Sequence, residues 1–340
     1  MKRESPARTK NGKAKSSRNR TIELSNSEKA LLRKNLIVLP EKFGGAKSAP
    51  YFPAAERIQC GTYHGDFGDL ERILPPACVD LLILDPPYNL AKEFNGRKFA
   101  KQDVDEYTEW LDGVISELKC LLKEDASIYI CGDWYSSVSI YTAASRHFKV
   151  RNRITWEREK GRGAKSNWKN SSEDIWFCTM SDNYTFNVDR VKLRRKVIAP
   201  YRDELRAPKD WDDTEDGAYR DTHPSNIWTD ISIPFWSMPE NTEHPTQKSE
   251  KLIAKLILAS TDENDLVLDP FLGSGTSSVV AKKLGRRYFG CEMEEYYCLL
   301  AEKRLQLAEA DRRVQGFTDG VFWERNTLTE QQSRLKNSSE

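Results

Sequence analysis

The segment from Leu266 to Glu292 leaves a folding chain few options. Leu266-Val267-Leu268-Asp269 is a short apolar run, and Pro270-Phe271-Leu272-Gly273-Ser274-Gly275-Thr276 is a glycine-bearing loop. A helical pattern then runs to Leu284 and stops at Gly285, and Tyr288-Phe289-Gly290-Cys291 is a second apolar run ending at Glu292. Strand, G-x-G loop, helix, strand and acid form the grammar of a nucleotide-binding unit: the glycines let the backbone approach a ligand, and the acid accepts hydrogen bonds from ribose hydroxyls. Parallel strands joined through a helix require a sheet covered on both faces. Ser278 occupies the third glycine position of the dinucleotide signature and Phe271 precedes the glycines. A nucleoside cofactor therefore suits this loop better than a dinucleotide does.

A second strand end is chemically loaded. Val79-Asp80-Leu81-Leu82-Ile83-Leu84 feeds directly into Asp85-Pro86-Pro87-Tyr88. Ligands of open α/β sheets sit just beyond the carboxyl ends of the strands, and a Pro-Pro pair cannot continue a central strand because it has no N–H to donate. The tetrad offers a carboxylate, backbone carbonyls and a ring face, which suits a flat group bearing an amine better than a phosphate. Taken alone it is equally a strand-ending turn, with Asp85 as a cap and Tyr88 packed.

Between these motifs the pattern alternates. Val104, Tyr107, Trp110, Leu111, Val114, Ile115, Leu118, Leu121 and Leu122 recur at helical spacing, which places Trp110 in the core. Ser127 to Cys131 reads as a strand, Asp133 to His147 as a helix and Val150 to Trp156 as a strand. Expected boundaries are a basic flexible arm and linker over 1–55, a catalytic half over 56–187, an insertion over 188–243, a cofactor-binding half over 244–312 and a polar tail over 313–340, its last twenty residues frayed. The arm and linker carry a short helical signal around Ser27 to Leu36.

The chain has 340 residues and a formal net charge of +1, so no global field announces a polyanionic partner. The first twenty residues nevertheless hold eight Lys or Arg against one Glu, a solvated tail or a contact to nucleic acid. Seven scattered cysteines without a C-x-x-C pair suggest neither a disulfide framework nor a thiolate metal site, and four histidines lack ligand spacing, so no metal is expected. No apolar stretch approaches ~20 residues. A cytoplasmic protein with no membrane partner is expected.

Asp-Pro-Pro-Tyr, then His244-Pro245-Thr246-Gln247-Lys248, then Asp269-Pro270-Phe271-x-Gly273-x-Gly275-Thr276 together resemble the β group of S-adenosylmethionine-dependent DNA amino-methyltransferases, in which the catalytic block precedes the cofactor block. The likeness spans about residues 57 to 310. It implies an α/β, Rossmann-like methyltransferase fold in circularly permuted order, with a mainly parallel sheet, helices on both faces and an inserted target-recognition lobe. It implies S-adenosylmethionine as cofactor, double-stranded DNA as partner, homodimers as a common state, and a solitary enzyme or the modification half of a restriction pair. Carried over by residue, the catalytic motif is Asp85, Pro86, Pro87 and Tyr88. The cofactor set is Asp66 and Phe67, Asp85, Thr246, Gln247, Lys248, Asp269, Phe271, Gly273, Ser274, Gly275, Thr276 and Glu292. Ser249 replaces the proline usual after the lysine.

An exocyclic amine is a poor nucleophile because its lone pair is delocalised. The Asp85 carboxylate and the Pro86 carbonyl can accept both of its hydrogens and localise that pair. A duplex hides the amine, so the base must swing out onto an aromatic face, the natural role of Tyr88. The resemblance implies methylation of an exocyclic amine, most often adenine N6 when the tetrad opens with Asp and more often cytosine N4 when it opens with Ser. Cytosine N4 stays open, as does an inactive DNA-binding homologue, while methylation of RNA or of protein glutamine is disfavoured because those tetrads tend to open with Asn. For DNA contact the candidates are Arg158, Lys160, Arg162, Lys165, Trp168 and Lys169 on a loop with Gly161 and Gly163, and Arg194, Arg195 and Lys196 in a basic stretch. That stretch is either a phosphate surface or an internal salt-bridge patch.

Overall fold

In the computed structural model the described residues are 16–39, 60–89, 92–94, 97–99, 102–158, 165–197, 204, 211–214, 217–327 and 331. Most of the basic arm, Arg57 at the start of the family likeness, Lys160, Arg162 and most of 198–210 lie outside them. The elements in chain order are α1 (Asn26–Leu32), β1 (Cys60–His64), α2 (Leu70–Ile73), β2 (Val79–Leu84), β3 (Lys92–Phe94), β4 (Arg97–Phe99), α3 (Val104–Lys119), β5 (Leu122–Gly132), α4 (Ser137–His147), β6 (Lys149–Glu157) and β7 (Ser172–Thr179). They continue with β8 (Leu193–Lys196), β9 (Asp212–Thr214), β10 (Gly217–Thr222), β11 (Ile227–Trp228), α5 (Glu250–Ser260), β12 (Leu266–Asp269), α6 (Thr276–Lys283), β13 (Arg287–Glu292), α7 (Glu295–Ala310), β14 (Phe317–Thr318) and β15 (Val321–Trp323).

The main sheet runs β1-β13-β12-β2-β5-β7-β6-β11. All of its pairings are parallel except those of β7, which is antiparallel to both β5 and β6. Strand β2 lies at the centre and its apolar side chains are at most 1% exposed, each contributing roughly 1.5–3 kcal/mol by burial. They alternate: Leu81 and Ile83 join the core with Leu252 of α5 and Val279 of α6, while Leu82 and Leu84 join the core with Leu111 of α3 and Ile140 of α4. Helices thus cover both faces. The chain leaves β2 toward one face and leaves β12, its neighbour, toward the other, and such a divergence opens a crevice at the strand ends. At the opposite, amino-terminal end of the two strands Asp80 ties β2 to β12 by accepting the Leu266 N–H at 2.7 Å.

Helix α3 forms as its sequence dictates. Asp103 caps it by accepting the Glu106 N–H at 2.8 Å, acids fill the first turn, and Tyr107, Leu111, Val114, Ile115 and Leu118 bury one stripe. Part of the stretch read as arm and linker is also built into the fold. Ser25 and Glu28 form a capping box on α1, Ile22 bridges to Thr242, and Ile37 bridges to Tyr63.

A second sheet, β14-β15-β8-β10-β9, joins strands from residues 188–243 to strands from beyond residue 313. This corrects the expectation of a frayed end: Phe322 and Trp323 are fully buried. Strand β15 pairs with β8, the Trp323 ring packs on Tyr219 at 5.6 Å, and Lys251 of α5 donates to the Trp323 carbonyl. Three residues are too few to show a period, so only the partner strands reveal the role. Among the described residues no helix is long and apolar enough to cross a membrane, and no group of three His, Cys, Asp or Glu side chains could hold a metal ion.

Candidate active site

The crevice between β2 and β12 holds a cavity of about 320 Å³, within the size range of small-molecule sites. Asp66, Phe67, Asp85, Pro86, Pro87, Tyr88, Thr246, Lys248, Phe271, Gly273 and Glu292 of the expected set line it. Gln247, Asp269, Ser274 and Thr276 line a small recess behind, while Gly275 lines neither.

On the β2 side the tetrad is pinned from below. The Tyr107 hydroxyl donates to the Pro87 carbonyl at 3.0 Å, so that carbonyl is engaged by the protein itself. Asp85 receives two bonds from the Lys248 ammonium, at 2.8 and 2.7 Å. The Tyr88 hydroxyl lies 3.1 Å from Asp85 Oδ1 and 3.4 Å from Glu173 Oε2, and Lys248 donates to it at 3.1 Å. Burial pushes the Lys248 ammonium down, but Asp85 and Glu173 outweigh burial and hold it above its ordinary value. Burial, reinforced by the same two carboxylates, raises the Tyr88 phenol well above its ordinary value. Lys248, expected from its motif near the cofactor's methionine moiety, therefore has its charged end on the Asp85 carboxylate.

On the β12 side the loop bends at Gly273 and Gly275, with φ of 54° and 87°, a conformation that favours glycine. Glu292 accepts the N–H groups of Gly273 at 2.9 Å and Glu294 at 2.8 Å, and burial raises its carboxyl. Asp269 accepts from Phe271 N–H at 3.0 Å and Ser277 Oγ at 2.6 Å, and burial pushes it up to about 7. It shapes the loop from behind. Gln247 is likewise internal: its carbonyl accepts from Thr242 N–H at 2.9 Å, and its amide donates to the Glu240 carbonyl at 2.7 Å.

Phe67 and Phe271 stand 5.3 Å apart, centroid to centroid, and Trp110 lies 6.4 Å from Phe271. Trp110 packs partly buried against the core, as its spacing suggested, and is also a wall of the cavity; the period reports the face of the helix and not what lies opposite. His244 was missed. It sits in a quoted motif, lines the cavity, packs edge-on to Tyr297 at 4.5 Å, and burial holds its ring at about 4. Its Nδ1 is buried without a hydrogen-bond partner among the described residues. An orphaned ring nitrogen, aromatic faces and a carboxylate beside glycine N–H groups suit a ligand with an adenine, a ribose and a charged amino-acid end.

The DNA candidates divide. Trp168 is 97% exposed, and Lys165 and Lys169 are exposed beside it. Arg158 starts the same β6–β7 connection but pairs with the buried Glu173, another residue the sequence did not single out. Arg194 donates twice to Asp221, both at 2.7 Å, and lies over the Trp323 ring. The internal salt-bridge alternative is therefore the one realised at Arg194, because β8 and β10 bring the two side chains opposite each other. Arg195 stands 3.9 Å from Glu324, and Lys196 is exposed.

Residues 79–303 match the N6/N4 methyltransferase family described as DNA methylase. The chain is 34% identical over 249 residues to the DNA adenine methyltransferase YhdJ of Escherichia coli, covering 72% of this chain and 82% of that protein. It is 30% identical over 253 residues to the type II methyltransferase M.BglII of Bacillus subtilis, covering 70% and 67%. Among solved structures, the cytosine-N4-specific PvuII DNA methyltransferase aligns with a TM-score of 0.53 at 17% identity, over 86% of this chain and 97% of that one; this likeness concerns the fold alone.

Proposed function

Because the chain belongs to the N6/N4 DNA methylase family, we propose that it methylates adenine N6 at specific sites in duplex DNA. The observation that carries this reading is one cavity walled on one side by Asp85 and Tyr88 and on the other by Phe271, Gly273 and Glu292. Adenine as the target rests on the acid that opens the tetrad and on the 34% identity to an adenine methyltransferase. S-adenosylmethionine supplies an electrophilic methyl group on a sulfonium centre when bound. Glu292 would take its ribose, the Phe67 and Phe271 rings its adenine, and Thr246 and His244 its amino-acid end.

The chain's own residues then prepare the acceptor. Asp85 takes one amine hydrogen and the Pro86 carbonyl the other, which turns the nitrogen lone pair toward the cofactor side of the crevice. Tyr88 offers its ring to the extruded base, whose unstacking costs a few kcal/mol. Holding donor and acceptor in one small cavity supplies the proximity advantage. The amine turns acidic once alkylated, and its proton leaves to Asp85 or to water.

Lys165, Trp168 and Lys169 face the duplex in this reading, and residues 188–243 carry sequence preference. A homodimer and a cytoplasmic location complete it, and sedimentation of the pure protein measures the former. Expression in a methylation-free host followed by sequencing for modified bases tests the assignment. N6-methyladenine at one recurring site is expected, and N4-methylcytosine in its place would overturn the choice of base. Asp85→Ala abolishes transfer, a loss of at least ~100-fold, while cofactor binding survives; substantial residual transfer of radiolabelled methyl would refute the role of Asp85.

A further inference from the structure

The Lys248 ammonium occupies both oxygens of Asp85, one of which the proposed reaction needs for the target amine. It donates to Asp85 Oδ1 and Oδ2 at 2.8 and 2.7 Å, and a target amine must reach one of the same atoms. A second carboxylate stands ready to receive that ammonium. Glu173 Oε2 lies 3.6 Å from Lys248 Nζ, and the other oxygen of Glu173 is taken by Arg158 Nη1. Two carboxylates and two cations thus form a neutral chain from the catalytic acid outward: Asp85, Lys248, Glu173, Arg158.

The inner and outer ends of this chain differ. The side chains of Lys248 and Glu173 are 8% and 6% exposed, whereas Arg158 is 33% exposed. Arg158 is the first residue beyond β6, and its N–H donates to the Ser171 carbonyl across the base of the loop that carries Lys165, Trp168 and Lys169. Its Nε is buried with no hydrogen-bond partner among the described residues. A guanidinium has five donors in a planar fork suited to a phosphate. A buried carboxylate deprived of its cation must find another, and Lys248 carries its charge on a flexible stem.

Building on the amine-methylation reading of Asp85, we propose that Glu173 and Arg158 are positioning residues that couple duplex contact to the release of Asp85. A backbone phosphate draws Arg158 off Glu173, Glu173 draws Lys248 off Asp85, and the Asp85 oxygens open to the target amine. No bond is made or broken and no proton changes owner. Without a duplex, Lys248 stays on Asp85.

The test is single-turnover methyl transfer at saturating cofactor, using a duplex whose flanking phosphates are replaced one at a time by neutral methylphosphonates. In the wild type, one such replacement slows transfer by about tenfold, and in Arg158→Gln the same replacement has no further effect. Arg158→Gln raises the duplex KM by about tenfold and slows the chemical step by less than about threefold. Glu173→Gln slows the chemical step by about thirtyfold or more with KM and cofactor affinity unchanged, and the double variant is no slower than Glu173→Gln alone. Multiplicative losses in the double variant, or equal losses of rate in the two single variants, overturn the coupling. Should Glu173→Gln lose cofactor binding through misfolding, Glu173→Asp takes its place: it keeps the charge, and full retention of the phosphate effect is expected. A wild type that transfers no methyl group to DNA refutes the functional reading itself, whereas an active wild type with unsplit variants refutes only the coupling.

Discussion

Replacing Gly275 by alanine puts a methyl carbon 2.5 Å from Ala301 Cβ and 2.8 Å from Ala301 Cα. The second contact is with the backbone of α7, so α6 has to move off α7 to relieve it, an overpacking cost of about 1–3 kcal/mol. The residue also lies at φ 87° and ψ 18°, which costs a side chain roughly 1–2 kcal/mol more. Gly275→Ala should therefore lose about 2–5 kcal/mol of folding stability. Gly273 sits in the same loop but differs. At φ 54° it carries the backbone cost, yet its added carbon would meet only the His244 ring, 3.0 Å from Nε2. Gly273→Ala is expected to lose about 1–2 kcal/mol of stability and to crowd the imidazole at the cavity wall. Urea unfolding followed by tryptophan fluorescence measures the first quantity, and cofactor titration by calorimetry the second. Gly275→Ala should be the less stable variant and, while folded, bind cofactor within about threefold of wild type, whereas Gly273→Ala should lose about tenfold or more. A Gly275→Ala protein as stable as wild type but defective in cofactor binding would refute the reasoning, because Gly275 would then serve the ligand and not the helix contact.

Trp323→Ala removes a fully buried ring at the seam between α5 and the second sheet and should cost about 3–5 kcal/mol; a unchanged urea midpoint would place β15 outside the fold. Tyr88→Ala should weaken methyl transfer more than duplex binding, read by comparing turnover with gel-shift affinity, and equal losses would count against stacking of the base. His244 is held neutral at about 4 against an ordinary 6.5, so the folded state binds fewer protons than the unfolded state in that window, and its contribution to stability is lost as pH falls through it. Between pH 7 and pH 5 the wild type should lose about 2 kcal/mol relative to His244→Gln, measured by urea unfolding of both proteins, and parallel pH profiles would show that the ring is not buried neutral.

Much of this architecture is written in local pattern. The apolar run Val79–Leu84, the stripe along α3 and the unit from Leu266 to Glu292 each state their own conformation, because period and turn chemistry act over a few residues. The motif positions Asp85, Phe271, Gly273 and Glu292 do line one cavity. Gly275, Gln247 and Asp269 carry the same motif spelling but support the wall from behind, and residue type could not show that. Trp110 and His244 went the other way, since helical spacing and a motif letter say nothing about what lies across the crevice.

What the sequence determined by itself is the inventory: an α/β sheet, a glycine loop with its acid, a strand ending in an acid and an aromatic ring, and their order along the chain. What only the tertiary structure decided is who meets whom. Lys248 lies 163 positions from Asp85 and 2.7 Å from it in space, Glu173 enters from a strand with no motif of its own, and Phe322 and Trp323 find their core in a sheet built from distant segments. The reason is physical. Propensity, period and capping are set by neighbours within a few residues, whereas a buried charge or ring is stabilised by whichever partner the packed chain brings to it.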